Sequence, residues 1–210
     1  MTAPLRRSAD KLRAMKILVF GATGTIGREI VSALSAAHEV VGVTRKGELS
    51  ADIRDVASIR KLYERVGRVD AIVCAAGSGA WKPLAELTDD DFESSLHYKL
   101  MGQVNVIRYG FASVNDGGSI TVTSGVLSKT PVPSGAAISL ANSGLEGFVR
   151  AAALEAPRNI RVNVVSPPWV SETLTAMGMD PANGLPSADV AKAYVAAATG
   201  TMTGQVIEPG

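Results

Sequence analysis

A chain of 210 residues with 21 Lys and Arg against 20 Asp and Glu, a net charge of +1, carries no field for nucleic acid or anionic lipid. With 46% hydrophobic and 20% charged residues it has the composition of one soluble globular domain, large enough to bury a core without disulfides or a structural metal. One thiol, Cys74, cannot form an intrachain disulfide, no Cys/His cluster has zinc-ligand spacing, and no apolar run has signal or membrane-span length, so the cytoplasm is the expected compartment.

Residues 1–14 are polar and mixed in charge and read as a disordered N-terminal extension, with Met15 directly before the first strong strand. Short apolar runs predict buried strands at Lys16–Phe20, Glu39–Val43, Asp70–Ala75, Ser119–Thr123, Ile160–Val165 and Gln205–Ile207. Between them Ile26, Ile30, Val31 and Leu34 form one helical face, and Val56, Ile59, Leu62 and Val66 another, with Asp55 as its N-cap. Thr88 opens a long helix whose stripe is Phe92, Leu96, Leu100, Val104, Ile107 and Phe111. The Asp89–Asp91 run suits the positive end of its dipole. An Ala-rich helix is expected from Ser134 to Ala156, ended by Pro157, and a last one from Ser187, as cap, to Ala198. Strands alternating with helices predict a single doubly wound Rossmann-type domain over residues 15–210, an α/β fold with about seven parallel strands. The stretch 166–186 reads as irregular, and irregular stretches of that length usually lie over a functional site.

The run Gly21-Ala22-Thr23-Gly24-Thr25-Ile26-Gly27 follows the first strand and opens the first helix. Gly21 permits the tight turn, Gly24 the approach of a pyrophosphate, and Gly27 the packing of helix on strand, while the helix N-terminus offers amide donors to the anion. The end of the second strand, Val43-Thr44-Arg45-Lys46, lacks the acid that accepts from the ribose of NAD, and Arg45 suits a 2′-phosphate, so NADP is expected over NAD.

These landmarks resemble the short-chain dehydrogenase/reductase family over residues 15–210, in order with Asp52-Ile53, Ala75-Ala76-Gly77, Ser124, the Asn163–Pro167 stretch, and Thr203-Gly204-Gln205-Val206. The resemblance implies adenine contacts at Asp52 and Ile53, ribose contacts at Ala75 to Gly77, nicotinamide contacts at Pro167 and Val170, and a substrate-facing hydroxyl at Ser124. It also implies a homodimer or homotetramer built on the long helix and the Ala-rich helix. The family's Tyr-x-x-x-Lys pair is missing. Aligning Leu145-Glu146-Gly147-Phe148 puts Ile138 in the Tyr place and Asn142 in the Lys place, and Lys99 stands where the family has Asn. The chain is thus similar to a subgroup that keeps the cofactor loop without the usual active site.

Two readings follow. One is an NADP(H)-dependent oxidoreductase acting on a small carbonyl or alcohol, with Ser124 as donor and Lys99 as electrostatic stabiliser or proton source. The other is a catalytically silent NADP(H)-binding regulatory or sensing protein. A sugar epimerase or dehydratase ranks behind both, since it needs the same missing pair. Trp81 and Trp169 either wall the substrate pocket or pack loops onto the domain, and Met177 and Met179 form a lid. Cys74 is a small buried apolar residue, His97 reads as a solvated helix residue and His38 as the start of the second strand with no partner in sight, and Ser128 and Lys129 lie either toward substrate or toward solvent.

Overall fold

The computed structural model describes residues 14–210, so all of the predicted extension except residue 14 lies outside the described residues. The strands are β1 (Lys16–Phe20), β2 (Glu39–Val43), β3 (Val69–Cys74), β4 (Val114–Thr123), β5 (Arg161–Val165) and β6 (Val206–Ile207), alternating with helices as the hydrophobic periods predict. All neighbours pair in parallel, in the order β2-β1-β3-β4-β5-β6. The chain leaves β1 toward β2 on one side and continues at β3 on the other. A crevice therefore opens at the carboxyl ends of β1 and β3, where the crossovers diverge.

Each face of the sheet is covered by a separate apolar layer. Leu18, Phe20 and Ile72 pack with Ile59 and Leu62 of α2 (Val56–Val66), Ile107 of α4 (Gly102–Gly110) and Leu145 of α5 (Ala136–Glu155). On the other face Ile17, Val19 and Val73 meet Ile30 and Leu34 of α1 (Thr25–Ser35) and Val190 and Tyr194 of α7 (Ser187–Thr199). Alternate residues of β1 thus enter opposite layers, the period of two that makes a doubly covered strand read as one unbroken apolar run.

The caps follow the predicted chemistry in two cases. The Asp55 carboxylate accepts from the Ala57 amide, and Thr88 with Asp91 closes a capping box at α3 (Asp89–Ser95). The sheet has six strands among the described residues, close to the expected seven or so. Three expectations are corrected. The Ala-rich helix starts at Ala136 rather than Ser134, which takes a left-handed φ of 68°. Ser187 is the first helical residue of α7, behind Pro186, and Glu172 caps that turn from outside by accepting from both the Ser187 amide and its hydroxyl. The stretch 166–186 is ordered by α6 (Ser171–Ala176) and a 3-10 turn at Pro181–Asn183, a one-turn periodicity too short to register as a helical face.

The helix predicted from Thr88 is continuous but not uniform, since residues Leu96–Met101 form a π-helical segment between α3 and α4. One extra residue per turn shifts every side chain that follows and leaves Lys99 buried at 8% exposure. Among the described residues no helix is long and apolar enough to cross a membrane, and no cluster of His, Cys, Asp and Glu could hold a metal ion.

Candidate active site

Two adjoining cavities share Ala75 and Gly77 at the crevice. The first, about 210 Å³, is lined by Gly21, Thr23, Gly24, Thr44, Arg45, Ile53, Ala76 and Tyr98 among others. Its floor is the glycine turn. Gly21 sits at φ 77°, and a Cβ there would stand 2.9 Å from the Ala75 carbonyl oxygen. A Cβ on Gly27 would stand 2.0 Å from the carbonyl oxygen of Gly21. Gly27 thus lets α1 close on its own entry turn, and Gly21 lets that turn lie against the end of β3, which brings the helix N-terminus, a site suited to an anion, to the cavity.

Arg45 lines this cavity and makes no hydrogen bond or ion pair among the described residues. Thr44 lines it too, its hydroxyl donating to the Lys46 carbonyl, and the Lys46 side chain is exposed outside the cavity. Asp52 pairs with Arg54 at 2.5 Å, and that guanidinium, itself over the Tyr98 ring at 5.3 Å, holds the Asp52 carboxyl below its usual range. Ile53 therefore reaches the cavity while the Asp52 carboxylate does not. Thr25 and Gly27 lie in the first turn of α1, outside the lining.

The second cavity, about 370 Å³, lies beyond β4 and β5 and takes in Ile26, Lys99, Ser124, Ile138, Asn142, Pro167, Val170 and Met177. Trp81 and Trp169 both line it and meet edge to face at 5.7 Å between ring centroids, so they wall the pocket and also pack on each other. Met179 is exposed and stays outside.

Lys99 Nζ donates to the carbonyl oxygens of Ser124 at 3.2 Å and Thr123 at 3.4 Å, with no carboxylate among the described residues in hydrogen-bond reach. Burial pushes its ammonium down to about 8, partly opposed by Cys74. Gly77, at φ 142°, lets the end of β3 lie against it, since a Cβ there would be 3.4 Å from the Lys99 Cα. Gln103, fully buried one turn later, fastens this helix to β4 through the Thr123 amide at 2.7 Å and carbonyl at 2.8 Å. Asn142 donates from Nδ2 to the Gly125 carbonyl at 3.2 Å and leaves Oδ1 buried without a partner among the described residues.

Ser124 is held by a residue the sequence pattern did not single out. Its hydroxyl donates to Glu146 Oε1 at 2.6 Å, and Glu146 is 4% exposed. The available signal was the spacing. Ile138, Asn142 and Glu146 are four residues apart and so share one face of α5, and the first two already marked that face as the site.

The other candidates lie elsewhere. Cys74 is buried, and desolvation pushes its thiol up to about 12, which suits an inert apolar residue. His97 contacts the Arg54 carbonyl at 3.0 Å, and His38 accepts from the Met15 amide. Lys129 pairs with Glu208, and Ser128 donates to Glu146. Tyr194, the one fully buried tyrosine on α7, is bound to Thr123 at 2.7 Å and does not line the cleft.

A family model described as enoyl-(acyl carrier protein) reductase matches residues 18–204. The hydroxynaphthalene reductase of Aspergillus fumigatus is 27% identical over 161 residues, 74% of this chain and 57% of that protein, so the chain spans little more than half the length of that relative. Carbonyl reductase family member 4 from Danio rerio is 30% identical, over 76% of this chain and 77% of its own. A Listeria innocua protein of known crystal structure superposes with a TM-score of 0.88 at 39% identity, covering 93% of this chain and 99% of its own. A small-chain dehydrogenase solved in complex with NADPH superposes with a TM-score of 0.82 at 27% identity, covering 93% and 96%. The parallel sheet with its crevice, the glycine turn beneath it and the family match across nearly the whole chain agree: this chain belongs to the short-chain dehydrogenase/reductase family.

Proposed function

We propose that the protein is an NADP(H)-dependent oxidoreductase acting on a small carbonyl compound or alcohol through Lys99 and Ser124 in place of the family's Tyr-x-x-x-Lys pair. The observation that carries this reading is Lys99, an ammonium buried in the cleft beside Ser124 with only carbonyl partners. A buried cation without a counter-charge costs stability, and an oxyanion developing in the same cavity offsets that cost in the transition state. The 2′-phosphate falls to Arg45, which lines the first cavity. The cofactor supplies the hydride when bound. Lys99 keeps positive charge and a free N–H at the reacting oxygen, and the two tryptophans with Ile138 and Leu127 exclude water. The matching protein solved with NADPH supports the choice of cofactor, and the names of the reductase relatives support the reaction class.

The test has two parts. Calorimetry should give NADPH binding at least about tenfold tighter than NADH, with Arg45→Ala erasing the difference. NADPH oxidation is then followed with 4-nitrobenzaldehyde, 1-tetralone and 9,10-phenanthrenequinone, and Lys99→Ala should lower kcat by about 100-fold. Tight binding with no turnover across that panel supports the silent binding protein, which the apolar Ile138 in the cleft favours. We further propose a homo-oligomer through the face bearing Met101, Leu140 and Leu154, which are exposed; sedimentation of the wild type against Leu154→Glu decides it.

A further inference from the structure

Glu146 is the one carboxylate buried on the cleft side of α5, and three hydroxyls converge on its Oε1: Ser124 at 2.6 Å, Ser128 at 2.6 Å and Ser166 at 3.1 Å. They come from three segments, the ends of β4 and β5 and the 3-10 turn Val126–Ser128. No cation is hydrogen-bonded to Glu146 among the described residues. Lys129 acts on it only through its field, being paired with Glu208, while Lys99 is bound to the carbonyls of Thr123 and Ser124, and Arg150, one turn along α5, is exposed. A carboxylate only accepts, and a serine hydroxyl has one proton. Ser124 directs that proton toward α5, to Glu146 Oε1 at 2.6 Å with the Asn142 carbonyl oxygen as a longer second acceptor at 3.4 Å, so the atom it presents to the cleft is an oxygen with free lone pairs, and the donor to a carbonyl oxygen there is Lys99.

We propose that Glu146 is a positioning residue that orients Ser124 as an acceptor toward the cleft and, through it, takes up and returns the proton of the reaction. In alcohol oxidation the substrate O–H bond breaks and one forms at Ser124 Oγ, while the Ser124 O–H bond breaks and one forms at Glu146 Oε1. The electron pair leaves the carbon as hydride to the oxidised nicotinamide. Carbonyl reduction runs the same transfers backwards. Ser128, half-buried and bound to the same oxygen, connects Glu146 with solvent, which restores its protonation after each turnover. The arrangement gives the missing tyrosine's proton to a serine and to a carboxyl two turns beyond the tyrosine's place on α5.

This inference rests on the oxidoreductase reading, and the experiment separates the two. NADPH affinity, kcat, KM and the proton inventory in mixed light and heavy water are measured for wild type, Glu146→Gln and Glu146→Asp with the three carbonyl probes. The expected result is unchanged NADPH affinity and KM in E146Q, kcat lower by about 100-fold, a curved inventory in wild type that becomes linear in E146Q, and partial recovery in E146D. NADPH binding without wild-type turnover overturns the oxidoreductase reading and the relay with it. Wild-type turnover matched by E146Q overturns the relay alone. If E146Q loses NADPH binding through misfolding, the wild-type inventory decides, and a linear one refutes the relay.

Discussion

Lys99→Met isolates the cost of burying the ammonium. The native proton affinity falls from 10.5 to about 8 because of desolvation, and at about 1.4 kcal/mol per pH unit this corresponds to a penalty of about 3 kcal/mol at neutral pH. Methionine fills a similar volume without charge. Its losses are modest, since the Thr123 carbonyl keeps the Gln103 amide at 2.8 Å and only the Ser124 carbonyl loses its donor, at about 1–2 kcal/mol. The variant should therefore be more stable than wild type by about 1–2 kcal/mol near pH 7. The pH dependence is the sharper readout. Below pH 8 native and unfolded chains both carry the charge, and the native state bears the full penalty. Between about 8 and 10.5 the unfolded chain still binds a proton that the native state has released, so wild-type stability rises with pH. Urea unfolding of both proteins near pH 7 and pH 10 should show the variant's advantage shrinking by about 2–3 kcal/mol and changing sign. Subtracting the two curves removes every other titrating group. An advantage that stays constant across that range refutes the burial argument for Lys99.

Gly27→Ala puts a Cβ about where the Gly21 carbonyl oxygen stands, at 2.0 Å, and backbone cannot yield as a side-chain tip does. The expected loss is about 3 kcal/mol in urea unfolding together with loss of NADPH binding, whereas Gly147→Ala, which meets nothing within 4 Å, should be stable to within about 1 kcal/mol. Cys74, fully buried with its thiol pushed up to about 12, should react with a disulfide reagent only after denaturation; rapid labelling of the native protein at neutral pH contradicts its placement in the core.

Much of the fold was legible because the signals are local. A strand covered on both faces must be apolar throughout, and five of the six predicted strands fall within a residue or two of those found. The sixth, Ser119–Thr123, coincides with the part of β4 in regular register. Residues 114–118 before it are bulged, with Val69 opposite Val114 and Ala71 already opposite Ser119. The glycine spacing announced a turn that no other residue tolerates, and the absence of an acid after β2 pointed to Arg45 as the phosphate partner. Ser187 failed as a cap because the acceptor that serves its turn, Glu172, lies 15 residues away.

The sequence by itself determined the alternation of strands and helices, the glycine turn and the absence of a Tyr-x-x-x-Lys pair, each carried by neighbours within a few residues of one another. Only the tertiary structure decided which side chains gather where that pair would stand. Whether Lys99 faces water or the cleft depends on the π-helical turn that carries it, and whether Glu146 is a surface acid or a buried acceptor depends on three serines from segments 18 to 22 residues away along the chain. A charge enters an apolar interior only where distant groups converge to meet it, and such convergence is a property of packing that no local pattern of residues encodes.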